Sequence, residues 1–187
     1  MNDNLTDICI VEHHMRFSHI LLMNKGIAMS VRPSLLKMKI AFSKVNRDVS
    51  EVGIIIGGKV NHNINVLTAE QGRFENACAI RMSYALNYAG FKVPYIKGKT
   101  VSGGQGNWYI YRVKDLISFL YQEFGDPEVV VDSPNAHKLS KYKGILVVDV
   151  DTWLDASGHA SIWTGSRCTD NCYFPQAKKG YLWILED

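Results

Sequence analysis

Apolar positions recur at helical spacing through the first two thirds of the chain and switch to strand spacing in the last third. Leu35, Leu36, Ile40, Ala41, Phe42 and Val45 follow a helical period, and Ser34, just after Pro33, supplies an N-cap oxygen, so a helix is expected over about 34–47. A second helical piece over about 48–57 ends at Gly57-Gly58. Residues 59–73 are polar, with Asn61, Asn63 and Asn65, and are expected to be a loop. The clearest helix runs over 78–89, with Ala79, Met82, Leu86 and Ala89 in one stripe and Gly90 as its stop. Glycines cluster from Gly98 to Gly106, the aromatic run Trp108–Tyr111 reads as extended, and 113–124 forms an amphipathic helix with Leu116, Ile117, Leu120 and Phe124 inward. Strands are then expected over 144–150, 159–164 and 181–185. Helices first and closely spaced strands after argue for an α+β fold, an N-terminal helical half packed on an antiparallel β-sheet. Residues 1–28 are irregular in pattern and are read as an N-terminal extension, leaving a single domain over 29–187.

Composition narrows the class. Of 187 residues, 47% are hydrophobic and 21% charged, the balance of a globular protein with its own core. The net charge of +3 comes from scattered lysines and arginines, with no basic run and no nucleic-acid-binding motif, so no nucleic acid partner is expected. No apolar stretch approaches the roughly 20 residues of a membrane helix, so no membrane insertion is expected. The short patch Ile20-Leu21-Leu22-Met23 lacks a basic start and a long apolar run, and is not read as a secretory signal.

Candidate chemistry begins with Cys78. It ends the polar segment Phe74-Glu75-Asn76-Ala77 and opens the strongest helix. The helix dipole and unpaired N–H groups at that position favour a thiolate and an oxyanion beside it; the plainer reading is a buried structural cysteine. About 80 residues later, His159 follows Gly158 at the start of a strand, the pairing of a Cys/His hydrolase. Asp170 lies 11 residues beyond His159, and a hairpin would return it beside the imidazole, where its carboxylate would accept the Nδ1–H and orient the ring. Cys168 and Cys172 are close enough to bridge across that turn. No CxxC or paired histidine completes a zinc set of four, so a disulfide is preferred over a metal site. Asp149, Asp151 and Asp155 gather no further ligands, and the glycines at 103, 104 and 106 lack the lysine of a phosphate loop; no metal and no cofactor are expected. His13, His14, His19, His62 and His137 carry no comparable context. Trp108, Tyr109 and Trp163 are candidates either for cleft walls or for core packing.

Three segments, Phe74-Glu75-Asn76-Ala77-Cys78-Ala79-Ile80-Arg81-Met82-Ser83, Trp108-Tyr109-Ile110-Tyr111-Arg112-Val113 and Gly158-His159-Ala160-Ser161-Ile162-Trp163-Thr164-Gly165, resemble in content and order the fourth family of type VI secretion amidase effectors. The resemblance covers about residues 30–187. It implies a papain-like fold related to NlpC-type cell-wall peptidases, with Cys78 as nucleophile, His159 as general base, Asp170 as orienting acid and a Cys168–Cys172 disulfide. It also implies export by the type VI machinery into the periplasm of a rival Gram-negative cell and cleavage of peptidoglycan between γ-D-glutamate and meso-diaminopimelate. A cognate periplasmic immunity protein is the implied inhibitor. From the residues alone, the same pair would serve a cysteine protease, a transglutaminase or an acyltransferase, or a binding module in which Cys78 is merely buried.

Overall fold

The computed structural model describes residues 31–150 and 158–187. The expected extension and Asp151 and Asp155 lie outside them. Helix α1 (Leu35–Val45) starts where the Ser34 hydroxyl accepts from the Lys37 amide. Helix α2 (Val49–Ile56) ends at Gly57, whose φ of 71° turns the chain directly into α3 (Gly58–Asn65). The expected loop over 59–73 is therefore corrected in its first half. Val60 and Ile64, four residues apart, are enough to seat a short helix against the core, and their polar neighbours face outward. Helix α4 (Cys78–Tyr88) and helix α5 (Val113–Phe124) stand where the periodicity puts them. Between them, β1 (Thr100–Ser102) and β2 (Trp108–Ile110) make an antiparallel pair.

The second half is a four-stranded antiparallel sheet in the order β3-β6-β4-β5, formed by β3 (Val129–Asp132), β4 (Gly144–Asp149), β5 (Gly158–Trp163) and β6 (Lys179–Ile184). A one-turn helix α6 (Ala136–Leu139), capped by the Asn135 side chain on the Lys138 amide at 3.0 Å, links β3 to β4. Strand β4 is apolar without a break because both faces are covered. Ile145 and Val147 pack under α1, α4 and α5, while Leu146 and Val148 pack with Leu139, Trp163 and Cys168. Helices α1, α4 and α5 thus lie on one face of the sheet, and α4 crosses toward β5, the strand opposite β3 at the other edge. A separate apolar cluster under α2 and α3, including Val52, Val60, Ile80 and Tyr109, fixes the outer side of α4. The expected α+β arrangement is what forms.

Candidate active site

Cys78 is the first residue of α4 and is 8% exposed. Ala77 precedes it and, among the described residues, no side chain caps the helix, which leaves the first-turn N–H groups to an incoming acceptor. Ala79, Met82 and Leu86 bury the face below, which holds the helix head at the surface of the core. The Cys78 Sγ lies 4.0 Å from the carbonyl oxygen of Gly158 at the start of β5. A Cβ at Gly158 would collide with the carbonyl oxygen of Val148, so only glycine lets β5 approach β4 at this point.

His159 pairs with Val148 across β4 and β5 and is buried. After β5 the chain turns back: Trp163 bridges Cys168, and the Thr169 amide donates to the Ile162 carbonyl at 2.9 Å. That hairpin sets Asp170 beside β5. Because side chains alternate along a strand, His159 and Ser161 share a face, and Asp170 meets both. Its Oδ2 lies 3.1 Å from His159 Nε2, and its Oδ1 accepts from the Ser161 hydroxyl. The expectation that the carboxylate would take Nδ1–H is corrected. Nε2 faces Asp170, which leaves Nδ1 for the thiol side of the ring.

Burial by itself lowers the His159 pKa, but the hydrogen bonds and charges of Asp170 and Cys78 outweigh it and raise the value to about 9. A disulfide joins Cys168 to Cys172, with Cα atoms 5.4 Å apart, on either side of Asp170. Cys78 is the free cysteine among the described residues. Just beyond the bridge, Tyr173 takes a left-handed φ of 51° and sets its ring edge-on to His159, centroids 4.8 Å apart.

Cys78, His159 and Tyr173 line a cleft of about 360 Å³ together with Asn76 and Arg81. An adjoining hollow of about 460 Å³ shares Arg81, His159 and Tyr173 and adds Arg47, Asp48 and Asp170. Arg81, one helical turn after Cys78, is anchored by the carbonyl oxygens of Val45 and Arg47 at 3.1 and 2.6 Å. The structure therefore brings Cys78, His159 and Asp170 together. It buries Tyr109 and Trp163 in the core, at 1% and 0% exposure, and leaves Trp108 half-buried at the surface. His62 and His137 line neither hollow. Ser161, Arg81 and Tyr173 are additions; strand alternation from His159 would have found Ser161, and helical spacing from Cys78 would have found Arg81. Among the described residues no cluster of metal-ligand type occurs, and no helix is long and apolar enough to cross a membrane.

Fold and cleft together define a papain-like α+β protein with a helix-head cysteine, a strand-borne histidine and a hairpin carboxylate around one opening. The family model for "Type VI secretion system (T6SS), amidase effector protein 4", Tae4, matches residues 74–183. The chain is similar to the effector Tae4 from Salmonella typhimurium, solved in complex with the immunity protein Tai4 from Enterobacter cloacae, at 40% identity and TM-score 0.75, covering 82% of this chain and 99% of that one. It is similar to Tae4 from Enterobacter cloacae, solved alone, at 37% identity and TM-score 0.76, covering 84% and 99%. The Salmonella Typhimurium Tae4–Tai4 complex gives 42% identity and TM-score 0.75, covering 83% and 99%. No curated protein matches. The chain belongs to the Tae4 family of type VI secretion amidase effectors.

Proposed function

We propose that this amidase effector is a cysteine hydrolase acting on peptidoglycan, with Cys78 as nucleophile, His159 as general base and acid, and Asp170 as the group that orients His159. The scissile bond is the γ-D-glutamyl–meso-diaminopimelate amide of the stem peptide, reached in the periplasm of a rival Gram-negative cell. The observation that carries this reading is the meeting of an uncapped helix head at Cys78 with an imidazole held at Nε2 by Asp170, 3.1 Å away. The working unit is proposed to be one domain over 29–187, with 1–28 outside it. Solved relatives that pair Tae4 with Tai4 support a cognate immunity protein as the partner of this chain.

The chemistry follows from the parts. A His159 pKa of about 9 keeps the ring protonated near neutral pH, and its charge stabilises the Cys78 thiolate. The thiolate attacks the γ-carbonyl carbon, and the first-turn N–H groups of α4 receive the developing oxyanion. The C–N bond breaks as imidazolium gives its proton to the diaminopimelate amine. Neutral His159 then takes a proton from water, hydroxide attacks the thioester, and the γ-carboxylic acid leaves as Cys78 is regenerated. Asp170 holds the ring in place through both proton transfers.

Mass spectrometry of Gram-negative peptidoglycan after digestion tests the scheme. Wild type is expected to create new ends between γ-D-glutamate and diaminopimelate. Cys78→Ala is expected to lose at least a thousandfold in rate while melting at the same temperature. Residual activity within tenfold of wild type in a folded Cys78→Ala protein removes Cys78 from the mechanism.

A further inference from the structure

A second groove, of about 640 Å³, opens on the helical half. Phe74 lines it, while Asn76 and Ala77, two and three residues on, line the cleft at Cys78. One short segment therefore has the groove at one end and the cleft at the other.

The groove walls divide by chemistry. Tyr95 and Trp108 form a tilted ring pair with centroids 4.8 Å apart, and Phe74 stacks on Tyr111 at the same separation. Tyr95 is 59% exposed, so the Tyr95–Trp108 pair offers an aromatic face to a ligand, while Phe74 and Tyr111 also pack against the core. Among them stand Lys59, Asn63 and Ser102, whose side chains make no hydrogen bond or ion pair within the described residues. Among the described residues no acidic side chain lines the groove, and Lys97 and Lys99 flank its Gly98.

Aromatic faces beside unspent polar groups suit a ligand with an apolar C–H face and a hydroxyl- and amide-bearing rim. A pyranose of the N-acetylhexosamine type has that form. A purely apolar partner would strand Lys59 and Asn63. The positive margin favours a polymer with pendant carboxylates. Reach also agrees: Phe74 and Cys78 are four residues apart, at most about 14 Å along an extended chain. A stem alanine followed by γ-linked glutamate spans roughly 10 Å between the sugar's lactyl group and the scissile amide.

We infer that this groove binds the N-acetylated disaccharide of the glycan strand that carries the stem peptide, which makes glycan-attached stems better substrates than free ones. The inference rests on the amidase reading for its substrate, but glycan binding is measurable without turnover.

The first arm uses Cys78→Ala protein and immobilised glycan strands stripped of stem peptide. Binding is expected, with at least a fivefold loss in Tyr95→Ala and a smaller loss in Lys59→Ala. Both positions are exposed, and unchanged melting temperatures confirm the fold. The second arm compares kcat/KM for disaccharide-tetrapeptide and for the sugar-free tetrapeptide. Their ratio is expected to fall about tenfold in Tyr95→Ala. Absence of glycan binding, equal binding by parent and variants, or an unchanged ratio overturns the groove. So does a loss confined to binding of the cognate immunity protein. If wild type hydrolyses neither substrate while Tyr95-dependent glycan binding persists, the hydrolase reading fails and the groove stands.

Discussion

The two halves of the site are held by different forces. Cys78 is delivered by α4, whose position is set by apolar packing of Ala79, Met82, Ala85 and Leu86, all at most 2% exposed. His159 and Asp170 are delivered by an edge strand and its hairpin, and are held by directional bonds: Nε2 to Asp170, Asp170 to Ser161, and the Cys168–Cys172 bridge around the turn. The contrast follows from what each group needs. A thiol has a single reactive atom and needs only a position. An imidazole has two nitrogens and a plane, so it needs an orientation, and packing alone supplies that poorly.

On that division, the largest effect after loss of Cys78, the proposed nucleophile, comes from cutting the directional bonds. Asp170→Ala removes the acceptor of both His159 and Ser161. On the proposed roles, kcat is expected to drop on the order of a hundredfold or more, with a stability loss of about 1–3 kcal/mol from the stranded polar groups. Asp170→Asn retains an oxygen acceptor and is expected to recover part of the rate. Steady-state kinetics alongside urea unfolding reads both. An Asp170→Ala enzyme within threefold of wild type means that the ring is oriented by packing after all.

The covalent element should matter less, and on one side only. The Cys168–Cys172 bridge closes a very short loop, for which chain entropy gives roughly 2 kcal/mol. Replacing both cysteines by serine is expected to lower stability by about that amount and kcat about tenfold, on the order of a 1.4 kcal/mol change in barrier, because Asp170 lies between them. The rate of Cys78 alkylation with His159 replaced should be the same with or without the bridge, since α4 does not depend on it. Equal loss in both assays breaks the comparison.

The same division explains what could be read from the chain. α4 shows a clear helical stripe and β4 an unbroken apolar run, both deeply buried, so the elements that frame the site are legible, and Cys78 and His159 stand out at the starts of α4 and β5. α3 rests on just Val60 and Ile64 in a polar stretch and passes for a loop. β1 has three residues, and β3 alternates over only Val129–Asp132, too short to show a period. Asp170 was within reach because a hairpin return is a matter of counting. The ring nitrogen it meets was not, because that depends on how β5 presents His159 at the sheet edge. Tyr173 depends on a left-handed turn beside a disulfide, which no local pattern announces.

The smallest effect joins the two halves. His159 is raised from its ordinary 6.5 to about 9, against the lowering effect of burial, by Asp170 on one side and Cys78 on the other. The folded protein thus keeps a proton that the unfolded chain releases. This contribution to stability is fully present below about pH 6.5 and is lost as the pH rises through about 9. Urea unfolding across that window should show the stability gap between wild type and His159→Gln shrinking with pH. In a Cys78→Ala background one of the two raising partners is gone, so the loss should still begin near pH 6.5 but end at a lower pH and span a narrower range. A gap that stays flat with pH means that folding leaves the His159 pKa where the unfolded chain has it. A window that Cys78→Ala leaves in place means Asp170 alone holds the proton, and the helical half contributes position to the site but no charge.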